Sequence, residues 1–456
     1  MDRPAAPQAA PPSPQAAGAP PAPELHQPPA PPPARAEVEF LQAYSAPLEG
    51  RRGMLRLDFN ENTVGPSPKV VQAIRAMPAE HFAIYPEYDG LQAAVAASLL
   101  RISGPVATGR RLEPRHIGLF NGVDAALHAV FQAYGAPGDR LLTTSPTFGY
   151  YSPCARMQGM VIEAIPYRQH DFAFPFEEIR AALTGPNPDP PMAARPQGAP
   201  QGAAAQAAPP QGDADLVSES QSWVPPRLLL ICNPNNPTGT RLAPERILEL
   251  AAVAPATLVV VDELYEAFSG DSVLPLLLAG AGGAAAAQAP GAPGAPGAAD
   301  PFAAFPNLLV LRSLSKTAGL AGLRIGFAIG HPAVVDRVGR VTGPYDINSL
   351  AVTAAYAALD DQAYVDDFVA EVLTAKALLQ QRLTAGGWRH QGEGGNYLLL
   401  WPRARGAAVV EQRLRDAGIL VRSMAGKPLI DGSLRVSIGT RAQMEQFWSA
   451  WQQADS

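Results

Sequence analysis

Through the middle of the chain, short continuous apolar runs alternate with segments of helical spacing. Leu228–Ile231, Leu258–Val261, Leu308–Leu311 and Ile325–Ile329 are rich in leucine or β-branched residues and read as strands buried on both faces. Val123, Ala126, Leu127, Val130, Phe131 and Tyr134 recur at helical spacing, and Gly135 is placed to stop that helix. Buried strands separated by helices predict an α/β fold, a large and mainly parallel sheet flanked by helices. Near the end, Ile419–Arg422 and Leu434–Ile438 read as shorter strands around a loop, which suits a smaller α+β domain.

Composition locates the interruptions. The 456 residues include 49 prolines, and these are concentrated rather than scattered. Residues 1–37 are Pro/Ala-rich without apolar periodicity and are expected to form a disordered tail. Two similar tracts, about 185–226 and about 279–300, are expected to be disordered insertions in surface loops, because compact domains seldom contain structureless loops of this length. A large domain over 81–340 and a small one assembled from 38–80 and 341–456 are expected.

The formal charge of −6 offers no basic stripe for nucleic acid. No run approaches the roughly 20 apolar residues of a membrane span, and no secretory signal is evident at the N-terminus. Cys154 and Cys232 are the only cysteines, too few for a disulfide framework. A cytoplasmic protein is the simplest expectation, and no metal site is expected.

In such a sheet, ligands bind beyond the carboxyl ends of the strands. The residues just after each predicted strand are therefore informative. Leu228–Ile231 leads into Asn233-Pro-Asn-Asn-Pro-Thr-Gly239, Leu258–Val261 into Asp262-Glu-Leu-Tyr265, and Leu308–Leu311 into Ser313-Leu-Ser-Lys316 with Arg324 beyond. One rim thus gathers an amide, an acid, a phenol, a lysine and an arginine. Pyridoxal 5'-phosphate (PLP) wants this set: a lysine for its imine, an acid for its pyridine nitrogen, donors for its phenolate and an anion site for its phosphate.

With these motifs, and with LDFNEN at 57–62, GPSP at 65–68, YPEY at 85–88, NGVDAALH at 121–128, SPTFGYY at 145–151 and the terminal LVRS…LRVSIGTR, the chain resembles fold-type I aminotransferases of class I/II. It is most similar among them to histidinol-phosphate aminotransferases, from about Tyr44 to Arg441. The resemblance implies a homodimer that interconverts L-histidinol phosphate plus 2-oxoglutarate with imidazole-acetol phosphate plus L-glutamate. Lys316 would be the Schiff-base lysine and proton shuttle. Asp262 would pair with the pyridine nitrogen, Asn236 and Tyr265 with the phenolate oxygen, and Tyr151 would stack on the ring. The phosphate would sit among Ser313, Ser315, Arg324 and the amides around Val123 and Asp124, with Tyr85 reaching it from the partner subunit. Arg435 would clasp a carboxylate, while Arg422 and Tyr44 would meet the substrate phosphate. His128 reads as a packed helix residue.

Where the family often has a proline and an aromatic after its NEN, this chain has Thr63 and Val64, and Ala125 replaces the usual acid after Asp124. The first departure touches substrate identity. An aromatic or other amino-acid aminotransferase and an enzyme like threonine-phosphate decarboxylase are the alternatives. A regulator or scaffold with an aminotransferase-like fold is the non-enzymatic one.

Overall fold

The computed structural model describes residues 32–42, 49–103, 110–186, 223–280 and 300–456. Most of the expected tail and of both expected insertions lies outside the described residues, as does Tyr44. The edges differ from expectation. A one-turn helix at Ala36–Glu39 straddles the expected end of the tail. Gly185 backs directly onto Trp223, and the Pro226 carbonyl accepts a hydrogen bond from Thr257, so 223–226 belong to the packed body.

A short strand β1 (Leu55–Arg56) precedes seven strands that form one sheet: β2 (Ile117–Phe120), β3 (Arg140–Ser145), β4 (Val161–Pro166), β5 (Leu228–Cys232), β6 (Leu258–Asp262), β7 (Leu308–Ser313) and β8 (Gly326–Gly330). Their order is β2-β8-β7-β6-β5-β3-β4. All pairings are parallel except those of β8, which runs antiparallel to both β7 and β2. The predicted strands are therefore present, each within two residues of its expected bounds. β2, β3 and β4 complete the sheet.

The continuous apolar runs have a simple physical origin. Successive side chains of a strand point to opposite faces. Leu229, Ile231, Val259, Val261, Leu308 and Val310 enter one core, beneath the helices Leu91–Ile102, Pro244–Val253 and Ser349–Leu359. Leu228, Leu230, Leu258, Val260, Leu309 and Leu311 enter the other, beneath Gly122–Tyr134 and Pro332–Gly339. With helices on both faces, no strand position between them tolerates a polar residue cheaply. Each such buried side chain contributes about 1.5–3 kcal/mol.

The remaining strands build smaller sheets. β9 (His390–Gln391), β10 (Tyr397–Leu400), β12 (Arg422–Ser423) and β13 (Leu434–Ser437) form an antiparallel sheet in the order β12-β13-β10-β9, and β11 (Ile419–Leu420) pairs in parallel with β1. The single strand expected over Ile419–Arg422 is thus split between two sheets. Helices Gln362–Ala385 and Arg441–Ala454 close a separate core with Phe368, Leu379, Leu398, Val436, Phe447 and Trp451. We propose a division into a large part (81–340) and a small one (38–80 with 341–456). Val70 and the helix Ser349–Leu359 pack with the large-sheet core, which bears on where its edges fall. Among the described residues, no helix is long and apolar enough to cross a membrane.

Candidate active site

Three adjacent parallel strands, β5, β6 and β7, end side by side, and their C-terminal ends open onto one cleft. Val123, Asp124, Phe148, Cys232, Asn236, Asp262, Leu264, Tyr265, Ser313, Ser315, Lys316, Ala321 and Arg324 line it. Nine of these are residues that the sequence pointed to.

Asp262 is the last residue of β6 and is buried. It accepts hydrogen bonds from the Tyr151 hydroxyl (2.7 Å) and from the Leu264 amide (3.3 Å). Both donors are neutral. Burial outweighs them and pushes the carboxyl up to about 6. Tyr151 itself is buried beside Asp262 and is not among the residues lining the cleft. The expected stacking role is therefore corrected. Its place in the helix Tyr151–Met157 aims the hydroxyl at the carboxylate, while Phe148, edge-on to it at 5.5 Å, lines the cleft instead.

Lys316 follows β7 and is half-buried, its Nζ donating to the Phe59 carbonyl at 2.9 Å. Desolvation, with Arg435 and Arg324 nearby, draws its ammonium down to about 8, although Glu61 and Asp124 oppose the shift. Tyr265 is buried opposite. Its hydroxyl oxygen receives Asn60 Nδ2 at 3.0 Å and Asn236 Nδ2 at 3.4 Å, and desolvation raises its pKa strongly. The turn that presents Tyr265 is fastened from below. Arg312, on β7, donates to Glu263 and to Glu266, and Glu263 also takes the Val273 amide at 3.0 Å.

The other end of the cleft is a cup of backbone. Helix Gly122–Tyr134 begins there, with Gly122 at φ +79. A Cβ at Gly122 would lie 2.5 Å from an Arg324 guanidinium nitrogen, and one at Gly326 would lie 2.7 Å from Val123 N. Backbone leaves no room for a side chain at Gly326, and the left-handed φ favours glycine at 122. Arg324, held at φ +55, pairs with Asp124 at 2.9 Å. Ser313 Oγ donates to Ser315 Oγ at 2.7 Å and accepts from the Ser315 amide at 3.0 Å. A helix N-terminus, two hydroxyls and a guanidinium make this end suited to an anion.

Arg435, on β13, donates to Asn236 Oδ1 (2.7 Å) and to the Asp58 carbonyl (2.6 Å). Arg422, on β12, stands opposite it in register, its guanidinium 5.7 Å from the centre of the Phe59 ring. Tyr85 is not drawn into this cleft. It stacks on Tyr345 at 4.0 Å on an exposed face. His128 meets the Tyr150 hydroxyl on the helix behind the cup. Cys154 and Cys232 are both unoxidised and buried.

Sequence patterns assigned no role to Asn60, Phe59 or Phe148. All three lie inside motifs that carried the resemblance, so the motif was legible but the individual duty was not.

The profile of the family described as aminotransferase class I and II matches residues 52–450. A histidinol-phosphate aminotransferase of Roseiflexus castenholzii is 30% identical over 429 residues, covering 90% of this chain and 94% of its own. Histidinol-phosphate aminotransferase 2 of Pseudomonas aeruginosa is 30% identical over 400 residues, covering 87% and 88%. The fold is also that of a histidinol-phosphate aminotransferase from Sinorhizobium meliloti solved with pyridoxal-5'-phosphate, with a TM-score of 0.64, 21% identity and coverage of 88% and 90%. The cleft at the ends of β5, β6 and β7 thus lies within the matched region, and the chain belongs to the class I and II aminotransferases, PLP-dependent enzymes of fold type I.

Proposed function

We propose that this aminotransferase acts on L-histidinol phosphate, with 2-oxoglutarate as the amino acceptor. The cleft fits PLP on its own chemistry. Asp262 is a buried carboxylate with no cation paired to it among the described residues, as a site for a protonated pyridine nitrogen requires. A depressed lysine and an anion cup flank it.

PLP supplies an electron sink for the charge left when a substrate carbon loses its proton. The chain's residues hold and time that chemistry. Lys316 Nζ would hold the cofactor and, when free, would move a proton at the substrate carbon; its lowered pKa keeps much of it neutral near pH 8. Asp262 holds the proton on the ring nitrogen, and Tyr151 fixes the carboxylate's orientation. Asn236 and Tyr265 donate to the phenolate oxygen. Ser313, Ser315, Arg324 and the amides at Val123 and Asp124 hold the cofactor phosphate. Tyr85 serves the neighbouring site of a homodimer. Its exposed position beside Tyr345, Phe82 and Ile84 supports that reading. Arg435 and Arg422 bind the substrate's anionic groups, and a cytoplasmic location suits the reaction.

The observation that carries the phosphate part is the register of β12 and β13. Like charges directly opposite each other in a ladder are destabilising unless an anion lies between them. The relatives named histidinol-phosphate aminotransferase support the same choice. The test is a panel of amino donors in single-turnover half-reactions, followed by the cofactor's absorbance. Histidinol phosphate should convert the cofactor fastest. A faster reaction with an unphosphorylated aromatic amino acid would make the enzyme a general amino-acid aminotransferase. That outcome would fit Thr63 and Val64, the first bonded to Gln443 and the second exposed.

A further inference from the structure

We infer that Lys376 is a positioning residue for Asn236, acting through the turn Gly392–Gly395. Lys376 lies in the long helix Gln362–Ala385, is only 3% exposed, and touches nothing in the cleft. Its ammonium donates to three successive carbonyls: Glu393 (2.8 Å), Gly394 (3.2 Å) and Gly395 (2.9 Å). Three donors meet three acceptors, so the turn is pinned in one conformation.

That turn lies backbone to backbone against the Asn233–Gly239 loop. The Gly394 amide donates to the Gly239 carbonyl at 2.8 Å. A Cβ at Gly239 would come within 2.6 Å of Gly392 Cα, and one at Gly394 would collide with the Pro234 ring. Just beyond the turn, the Tyr397 hydroxyl donates to the Asn235 carbonyl at 2.7 Å. This is the carbonyl of the peptide that begins Asn236, and it also takes the Gly239 amide. The path runs from Lys376 through the turn to the peptide that aims Asn236 between Tyr265 and Arg435.

A lysine is a costly way to fill this space. Burial draws its ammonium down to about 7, with exposed Glu393 opposing the shift and Arg241 reinforcing it. An apolar side chain would fill the volume without that cost but would leave three carbonyls without a donor. The charge is explained by the loop it holds.

The inference rests on Asn236 contacting the phenolate oxygen of the cofactor. Donors there withdraw electron density and lower the pH at which the bound cofactor's absorbance titrates. A misplaced Asn236 should therefore raise that midpoint. The experiment compares holoenzymes carrying Lys376→Met, Lys376→Arg, Tyr397→Phe and Asn236→Ala, by absorbance titration, kcat and KM. Lys376→Met should raise the midpoint by about half a pH unit or more. It should lower kcat roughly tenfold to a hundredfold with KM little changed. Lys376→Arg, which keeps charge and donors, should recover part of both. Tyr397→Phe should shift the midpoint in the same direction and decides the matter if Lys376→Met does not fold. A wild-type titration in Lys376→Met, or in Tyr397→Phe where only that variant folds, overturns the inference when Asn236→Ala does shift it. If Asn236→Ala leaves the titration unmoved, the assignment of Asn236 fails first, and the positioning role with it.

Discussion

Arg422 and Arg435 are directly paired across the antiparallel β12–β13 ladder, so two guanidinium groups start from one spot on the sheet. Among the described residues no carboxylate is ion-paired to Arg422. The carboxylates on either side of Phe59 are already taken, Asp58 by Arg51 and Glu61 by Arg51 and Arg56. In the proposed reading Arg422 takes an anion from outside. Arg435, bonded to Asn236, is the member closer to the cofactor contacts, and Arg422 is the outer one.

Arg422→Ala should therefore weaken histidinol phosphate far more than an unphosphorylated amino donor. Losing a charge-assisted contact removes about 1.5–3 kcal/mol, enough to separate the two values of kcat/KM by more than tenfold. Steady-state kinetics with both donors checks this. Equal losses would mean that Arg422 does not read the phosphate.

Lys316 must be neutral to attack the cofactor's aldehyde. With its ammonium drawn down to about 8, the rate at which cofactor-free protein captures PLP should rise as pH passes through 8 and level off above it. Stopped-flow absorbance measures this directly. A rate still climbing towards pH 10, the range of an ordinary lysine, would contradict the desolvated placement of Nζ.

Asp262 makes a stability prediction. Its folded-state value of about 6 lies above that of an unfolded chain, about 4. The contribution of this raised carboxyl is therefore fully present below pH 4 and is lost as pH rises through 6 in the cofactor-free protein. In the proposed site a protonated pyridine nitrogen would supply the missing cation, so PLP should raise Tm more at pH 7.5 than at pH 5. Asp262→Asn should shrink that difference and slow removal of the substrate proton by orders of magnitude. Equal Tm increments at the two pH values in the unaltered enzyme would move the ring-nitrogen role elsewhere.

Residues 190–220 lie outside the described residues, but their flanks do not. Gly185 and Trp223 are in contact, so the ends of the intervening segment are already close together. Loop-closure entropy changes by only about 0.6 kcal/mol per doubling of length. Deleting 190–220 should leave kcat and Tm nearly unchanged in a thermal melt and a standard assay. Loss of the folded enzyme would show that the segment packs on the body.

Much of this was legible in the sequence because the chemistry sits where strands end. Leu228–Ile231, Leu258–Val261 and Leu308–Leu311 announced themselves as buried on both faces, and each delivered its polar group to the cleft. β2 and β4 were less visible. β2 is only four residues long, and β4 is an edge strand in which no residue is fully buried and Val161 is exposed. Tyr150 and Tyr151 are adjacent in sequence, and only the helix direction decides which hydroxyl reaches Asp262. Lys376 lies far along the chain from the cofactor motifs, and its role depends on backbone carbonyls of a glycine-rich turn packed closely on the Asn233–Gly239 loop. No side-chain pattern encodes such a contact.

The proposed site turns on Lys316 as the residue that would carry the cofactor. The decisive measurement is borohydride reduction of the holoenzyme, followed by proteolysis and mass mapping of the labelled peptide. One pyridoxyl group is expected, on Lys316, and none in Lys316→Ala, which should still bind PLP but turn over several orders of magnitude more slowly. Label on another lysine, or normal turnover in Lys316→Ala, would contradict that assignment.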